Sequence, residues 1–341
     1  MAYRYLRLAL TDGLDSPESV EAAMSAILSF ISIDIMHGSM SEFPLHLAAF
    51  RALQAQYQQK NRNGPAETLE TSPAERYLNS IFYLQSTLSL STNCELTPVP
   101  WPSDPQRSHC REESMYKIAT TVNDTCLQYT YGTTKCLAIF IRAAATLFRS
   151  VSYYLSAGVQ LPAGLQHAVY TLLSKLNSWS LAAENIIELP DFTTMKVMKL
   201  HILAFHDAIH IFCVTHLMLP FYTCQEAHKA SSEEIRLRAS RVLTHLQCIE
   251  NIKQENSRIF YTQAASILWP GFIASCEAVG EDRSGWTKWW EHMLTYRIGN
   301  IASLYATVRE VWQLSNSGQG SSKIPVWRVL LKKKKGIIIA L

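Results

Sequence analysis

The chain has 341 residues, with 31 basic and 28 acidic side chains and a net charge of +3 when histidine is neutral. Only 13 glycines and 13 prolines punctuate it, and 48% hydrophobic against 17% charged residues exclude disorder over most of the length and argue against a turn-rich β-sandwich. A charge this close to balance offers no basic face of the kind a nucleic-acid-binding domain needs.

Along the chain the first helix opens at Ser16, an N-cap followed by Pro17 and Glu18, and closes at Gly38. Val20, Met24, Ile27, Ile31 and Ile35 recur at helical spacing, and Leu28, Phe30 and Ile33 widen the stripe, which predicts a buried helix. A second helix is expected from about Ser41, with Phe43, Leu47, Phe50, Leu53 and Tyr57 on one side and the polar run QQKNRNG as its end. These two make a helical hairpin.

Ser72, Pro73 and Glu75 read as a capping-box start for a third helix, faced by Tyr77, Ile81, Leu84 and Leu88. The stretch TPVPWPSDPQRS, with Pro98, Pro100, Pro102 and Pro105, predicts an extended surface crossing inside one helical body. Helices are expected over roughly 112–130, 133–156 and 165–188, bounded by Gly132, Gly158 and Pro190.

Met195, Met198, Ile202, Phe205, Ile209, Phe212, His216 and Leu219 then alternate steps of three and four, the seam of a long packed helix ended by Pro220. Ser231 and Glu234 predict another capping box, continued by Ile235, Ala239, Val242, Leu246 and Ile249. With no alternating strand and no phosphate-binding glycine loop, the expected fold class is all-α, an irregular array of about ten to twelve helices.

The eight cysteines, at 94, 110, 126, 136, 213, 224, 248 and 276, include no pair at zinc-finger spacing and read as separate thiols. The opening MAYRYLRLAL is too polar for a signal peptide, and no 18 consecutive apolar residues occur. The expectation is a soluble intracellular protein without a membrane partner.

The densest cluster of chemical groups is LHILAFHDAIH, where His206 and His210 share a helical face and Cys213 follows three residues on, a permissive zinc triad. A zinc protease needs glutamate after the first histidine, and Asp207 stands there. The adjacent His206 and Asp207 also resemble the dyad of the HD-domain metal-dependent phosphohydrolases. His167 and Asp282 are then the nominated partners.

The preferred reading of this helix is structural, its histidines finding backbone or carboxylate partners. No DDxxD or GxSxG motif is present, and Asn123 with Asp124 begins a diphosphate-metal motif that does not continue. Trp286, Trp289 and Trp290, with Tyr296, read as helix packing, and the run Lys332 to Lys335 as a solvated turn of a terminal helix. No catalytic residue, cofactor-binding residue or metal ligand is expected.

The stretch from Ile267 to Trp312 carries the Trp269-Pro270 step, then Phe272, Ile273 and Ala274, then Cys276, Glu277 and Ala278, then Glu281, Asp282 and Arg283. Gly299 to Ile301 and Arg309 to Trp312 follow, and a closing segment begins at Trp327. Upstream, His46, Leu47, Ala48, Ala49 and Phe50 end a helical hairpin. Together these resemble the regulatory domain of the fungal-specific transcription factors that usually carry a two-zinc six-cysteine cluster. The early match is softer, with Phe43 and Ala48 where the family often has tryptophan and glycine.

The resemblance implies a nuclear regulator of RNA polymerase II transcription, not an enzyme, with residues 1–314 as an all-α regulatory domain and 315–341 as its closing segment. It implies partner transcription-factor chains or coregulators, and a small-molecule effector bound in apolar grooves. The six-cysteine cluster is absent from this sequence, as in a member truncated at its N-terminus. DNA contact is therefore expected only through a missing or partner module. In the Trp-Pro block, the proline is expected to break the helix ladder, and Glu277 to pair with Arg283.

Overall fold

The computed structural model describes residues 16–38, 40–62, 72–117, 121–219, 225–256, 268–316 and 324–334. Among them are thirteen α-helices and no strand. The expected opening block at residues 1–10, Pro220 and Lys335 lie outside the described residues, and so do residues 315–341 except for 315–316 and 324–334.

Helix α1 (Pro17–His37) starts as its sequence dictates: the Ser16 hydroxyl accepts from the Ser19 amide, and Gly38 closes the helix in the left-handed region at φ 74°. Helix α2 (Phe43–Arg62) completes the hairpin, staying helical into the polar run that was expected to end it. Phe50 and Phe82 stack at 4.1 Å where α2 meets α3 (Pro73–Thr92), and His46 donates from Nδ1 to Asp34 at 2.9 Å.

The proline-rich crossing ends earlier than expected. Asp104 accepts from the amides of Gln106 and Arg107, and Pro105 occupies the first position of α4 (Pro105–Tyr116), where a missing amide removes no helical bond. The single helix expected over 112–130 is therefore two. Asn123 caps α5 (Asp124–Tyr131), which ends at Gly132 with φ 58°.

Helices α6 (Lys135–Ala157) and α7 (Ala163–Ser178) follow, and the chain leaves α7 ten residues before the expected end at 188. The Trp179 indole turns back to donate to Glu184 across a short 3₁₀ turn, Leu181–Ala183. Segment 185–187 bonds to Gln128 on α5, whose amide donates to the Asn185 carbonyl and accepts from the Ile187 amide. Competition from those distant acceptors and donors replaces helix where local propensity favoured it.

Helix α8 (Phe192–Cys213) is the axis of the molecule, touching α5, α6, α7, α9 and α10. It runs into a π-turn, Val214–Met218, in which the Thr215 hydroxyl and His216 Nδ1 both donate to the Phe212 carbonyl. Helix α9 (Gln225–Glu255) lies along α8. Ser231 and Glu234 sit inside it, so the expected cap there is not one: Gln, Glu, Ala and Lys upstream sustain the helix from 225.

Helices α10 (Leu268–Cys276), α11 (Asp282–Leu294), α12 (Gly299–Asn316) and α13 (Val326–Lys334) close the array. Gly299, at the start of α12, meets the end of α1 backbone to backbone: a Cβ there would lie 2.3 Å from the His37 carbonyl oxygen. Glycine at that position is a requirement of docking the first hairpin on the last helices.

Three helices, Glu18–His37, Lys135–Ala157 and Phe192–Met218, are long and apolar enough to cross a membrane by length and composition. Their apolar character comes from a high average without an unbroken apolar run. Within the fold, 61% of the second and 78% of the third such window are buried against other helices, while the first is 39% buried.

Candidate functional site

The histidine cluster on α8 is assembled as structure. His206 stacks on Trp179 with ring centroids 4.4 Å apart and donates from Nε2 to the Leu176 carbonyl at 3.1 Å. His210 donates from Nε2 to Asn177 at 2.9 Å, and burial pushes its pKa down to about 4. Burial also lowers the pKa of His206, so both rings are neutral near pH 7.

Asp207 is clamped by two arginines of α9. It accepts from Arg238 Nη1 at 2.9 Å and from Arg241 Nε and Nη2 at 3.0 and 2.6 Å. A carboxylate with its lone pairs committed to two guanidinium groups is a tie between helices, a poor ligand for a cation. Of the nominated partners, His167 is exposed on α7 and Asp282 lies 3.6 Å from Arg236 at the start of α11. Among the described residues, no three His, Cys, Asp or Glu side chains gather to hold a metal. Cys213 is fully buried and burial raises its thiol pKa. Asn123 and Asp124 cap and brace α5 and α6, with Asp124 accepting from the Lys135 amide at 2.7 Å.

The tryptophan block is scaffold. Trp269 is fully buried and donates from Nε1 to the Ser91 hydroxyl on α3 at 2.8 Å. Trp290 donates to the Ser275 hydroxyl at 3.2 Å and Trp312 to the Ser275 carbonyl at 2.8 Å, so one serine of α10 organises α11 and α12. Pro270 is the third residue of the described α10, and Ser266, whose carbonyl an interior amide at that position would bond, lies outside the described residues. Arg283 bonds the carbonyls of Ala278 and Trp312 and the Asn316 side chain, at 3.0, 3.3 and 2.7 Å. No Glu277 partner appears among its bonds, which corrects the expected pair: the carbonyls at the helix ends outcompete it. Glu277 is partly buried, which pushes its pKa up to about 7.

A feature with ligand-scale dimensions lies under the closing helix. A cavity of about 370 Å³ opens between the end of α3, the proline-rich crossing, α6 and α13. Leu90, Leu96, Pro98, Ala145, Phe148 and Val329 supply its apolar wall. Pockets that bind small molecules run from roughly 300 to 1,000 Å³ and combine such walls with a few polar groups.

The polar groups are Cys94, Arg149, Arg328 and Lys332, together with the small side chains of Asn93, Ser152 and Ser156. Arg149 donates to the Thr97 carbonyl at 3.1 Å, holding the crossing against α6. Arg328 is 6% exposed. It donates to the Ser91 carbonyl, and its guanidinium carbon lies 4.1 Å from the Phe148 ring and 4.5 Å from that of Trp327. Burial pushes its pKa down to about 10, still charged at neutral pH. Burial raises the Cys94 thiol pKa, the neighbouring Arg328 charge partly offsetting it.

The sequence reading passed over Arg328 in favour of the lysines that follow it. A legible signal existed: an arginine flanked by Val326, Trp327, Val329, Leu330 and Leu331, with Lys332 one turn further on the same face.

These features define an all-α domain with a ligand-sized cavity between its helices. A family model described as the fungal specific transcription factor domain matches residues 1–341. The chain belongs to that family. It matches no curated protein and no solved structure.

Proposed function

We propose that the chain is the regulatory module of a nuclear regulator of RNA polymerase II transcription, and that it is not an enzyme. The observation that carries this reading is the family match along the whole chain. The commitment of His206 and Asp207 to backbone and arginine partners supports it over the phosphohydrolase alternative.

In this proposal residues 1–314 are the regulatory body and 315–341 its closing segment, and the body works with other transcription-factor chains or coregulators. DNA is reached through a zinc-cluster module carried elsewhere, because the sequence holds no cysteine pair at the required spacing. An effector in the cavity changes the seating of α13 against α3, α6 and α12, and so alters the surface offered to partners.

The test is a fusion of the full chain to an unrelated DNA-binding domain, read on a reporter carrying that domain's site in a fungal host. A reproducible rise or fall in reporter output, lost in a core-disrupting variant such as Trp269→Asp, which places a charge at a fully buried position, is expected. Output equal to that of the unfused DNA-binding domain, from a fusion shown to be folded and nuclear, overturns the proposal.

A further inference from the structure

Among the described residues, several buried or half-buried cations are matched by carboxylates, while the less buried Arg149 and Arg283 bond carbonyls instead. Arg238 and Arg241 share Asp207, Lys253 donates to Glu250 at 3.0 Å, and Lys334 to Glu310 at 2.7 Å. Arg328 differs. It is more deeply buried than Arg238, Arg241 or Lys334, and among the described residues no carboxylate lies within ion-pair distance of it.

Its compensation is partial: the Ser91 carbonyl oxygen, the neighbouring Cys94 thiol, and the faces of Phe148, Trp327 and Phe212. Cation–π contacts of this kind offset only part of the cost of taking an ion out of water. The Nε–H remains without a hydrogen-bond partner. A guanidinium carries five donors in a planar fork shaped for an oxyanion.

The cavity that Arg328 lines is electrostatically one-sided. Among the described residues its wall includes Arg149, Arg328 and Lys332 and no aspartate or glutamate; Glu95, the nearest in sequence, is exposed and outside the lining. The remaining wall is mostly hydrocarbon. At ~30 Å³ per water, about 370 Å³ holds roughly a dozen waters, or a molecule of about ten non-hydrogen atoms.

We propose that this cavity binds a small organic acid, its carboxylate on Arg328 and its apolar body between Leu90, Leu96, Ala145 and Phe148. Lys332 and Arg149 lower the energy of the anion further without desolvation of their own heads. A fully polar anion such as inorganic phosphate fits the site poorly, because the wall offers it few donors beyond the cations. The acid inserts beside Arg328 and Val329 of α13, so occupancy and the seating of α13 are one event.

The inference deepens the effector reading and rests on it for its consequence in the cell. The binding assay below reads the site alone, so an absence of binding with an active reporter fusion removes only the acid, and binding with a silent fusion removes only the regulator.

The test is titration calorimetry of the full chain with octanoate, octanol, octylamine and inorganic phosphate, at concentrations below micelle formation. One octanoate per chain is expected, bound at least tenfold more tightly than octanol, with no binding of octylamine or phosphate. Arg328→Met, verified as folded by circular dichroism, is expected to erase the preference for the acid while leaving octanol binding intact. Ala145→Phe, which fills the wall opposite, is expected to remove both.

Equal affinities for octanoate and octanol, phosphate binding as tight as octanoate, or no octanoate binding to the folded chain each overturns the proposal without any variant. A folded Arg328→Met that keeps the tenfold preference does so as well.

Discussion

Gly271 separates two effects of opposite sign. Replacing a glycine inside a helix with alanine stabilises by about 1 kcal/mol through backbone entropy. At Gly271, however, a Cβ would sit 2.3 Å from Trp289 Cη2, 2.7 Å from Cζ3 and 3.1 Å from Cζ2. Carbon atoms pack best at roughly 3.5–4.0 Å, so the indole has to retreat by more than an ångström. It has little room: Trp289 is 3% exposed and wedged edge-on between Trp286 and Trp290, with centroids 5.7 and 4.9 Å away.

Overpacking a rigid site costs about 1–3 kcal/mol, occasionally more, which exceeds the entropic gain. Gly271→Ala is therefore expected to destabilise by up to about 2 kcal/mol net. Unfolding entropy of about 2.1 cal/mol/K per residue converts this to a fall in Tm of up to roughly 3 °C. The assay is urea unfolding followed by near-ultraviolet circular dichroism of the tryptophans, in a cycle with Trp289→Phe. Phenylalanine lacks the clashing ring atoms, and Trp289 Nε1 has no partner to lose. In that background Gly271→Ala is expected to become neutral or stabilising, giving a coupling of at least about 1 kcal/mol. A higher urea midpoint for Gly271→Ala in the native background would refute the packing argument.

Three further outcomes are expected. Gly299→Ala pushes a Cβ to 2.3 Å from the His37 carbonyl oxygen, backbone against backbone; amide exchange in α1 and α2 should accelerate ahead of that in α8, and unchanged exchange contradicts the docking. Asp207→Asn leaves Arg238 and Arg241 without their shared carboxylate and should lower stability by at least ~2 kcal/mol, since breaking buried pairs costs ~3–5 and Arg241 is half-exposed. The native chain analysed alongside by elemental mass spectrometry should carry no stoichiometric metal, and one equivalent of transition metal lost in the variant would revive the phosphohydrolase. Glu277, its pKa raised by burial to about 7, binds its proton more tightly folded than unfolded. Its stabilisation is complete below about pH 4.5 and is lost as pH rises through 7, up to about 3 kcal/mol, so Glu277→Gln should flatten that decline in the urea midpoint, and a parallel decline in the variant removes the assignment.

Local chemistry in the sequence was enough for the helices whose ends and faces lie close together in the chain. Ser16 and Gly38 bound α1 because capping involves neighbours three or four residues away, and the seam from Met195 to Phe212 reports a helix because its period is a property of the helix itself. Trp286, Trp289 and Trp290 were legible as scaffold for the same reason: large indoles at helical spacing have to be buried together.

Tertiary structure decided what depends on residues far apart. Segment 185–187 left the helical path because Gln128 offered both a donor and an acceptor, and Asp207 became a tie because α9 brought two arginines to it. Arg328 became a buried charge lining a cavity only where Ser91, Phe148 and Phe212 converged on it from three other elements. Hydrogen bonding and desolvation act through space at a few ångströms, and separations of tens to hundreds of residues along the chain carry no local imprint of them.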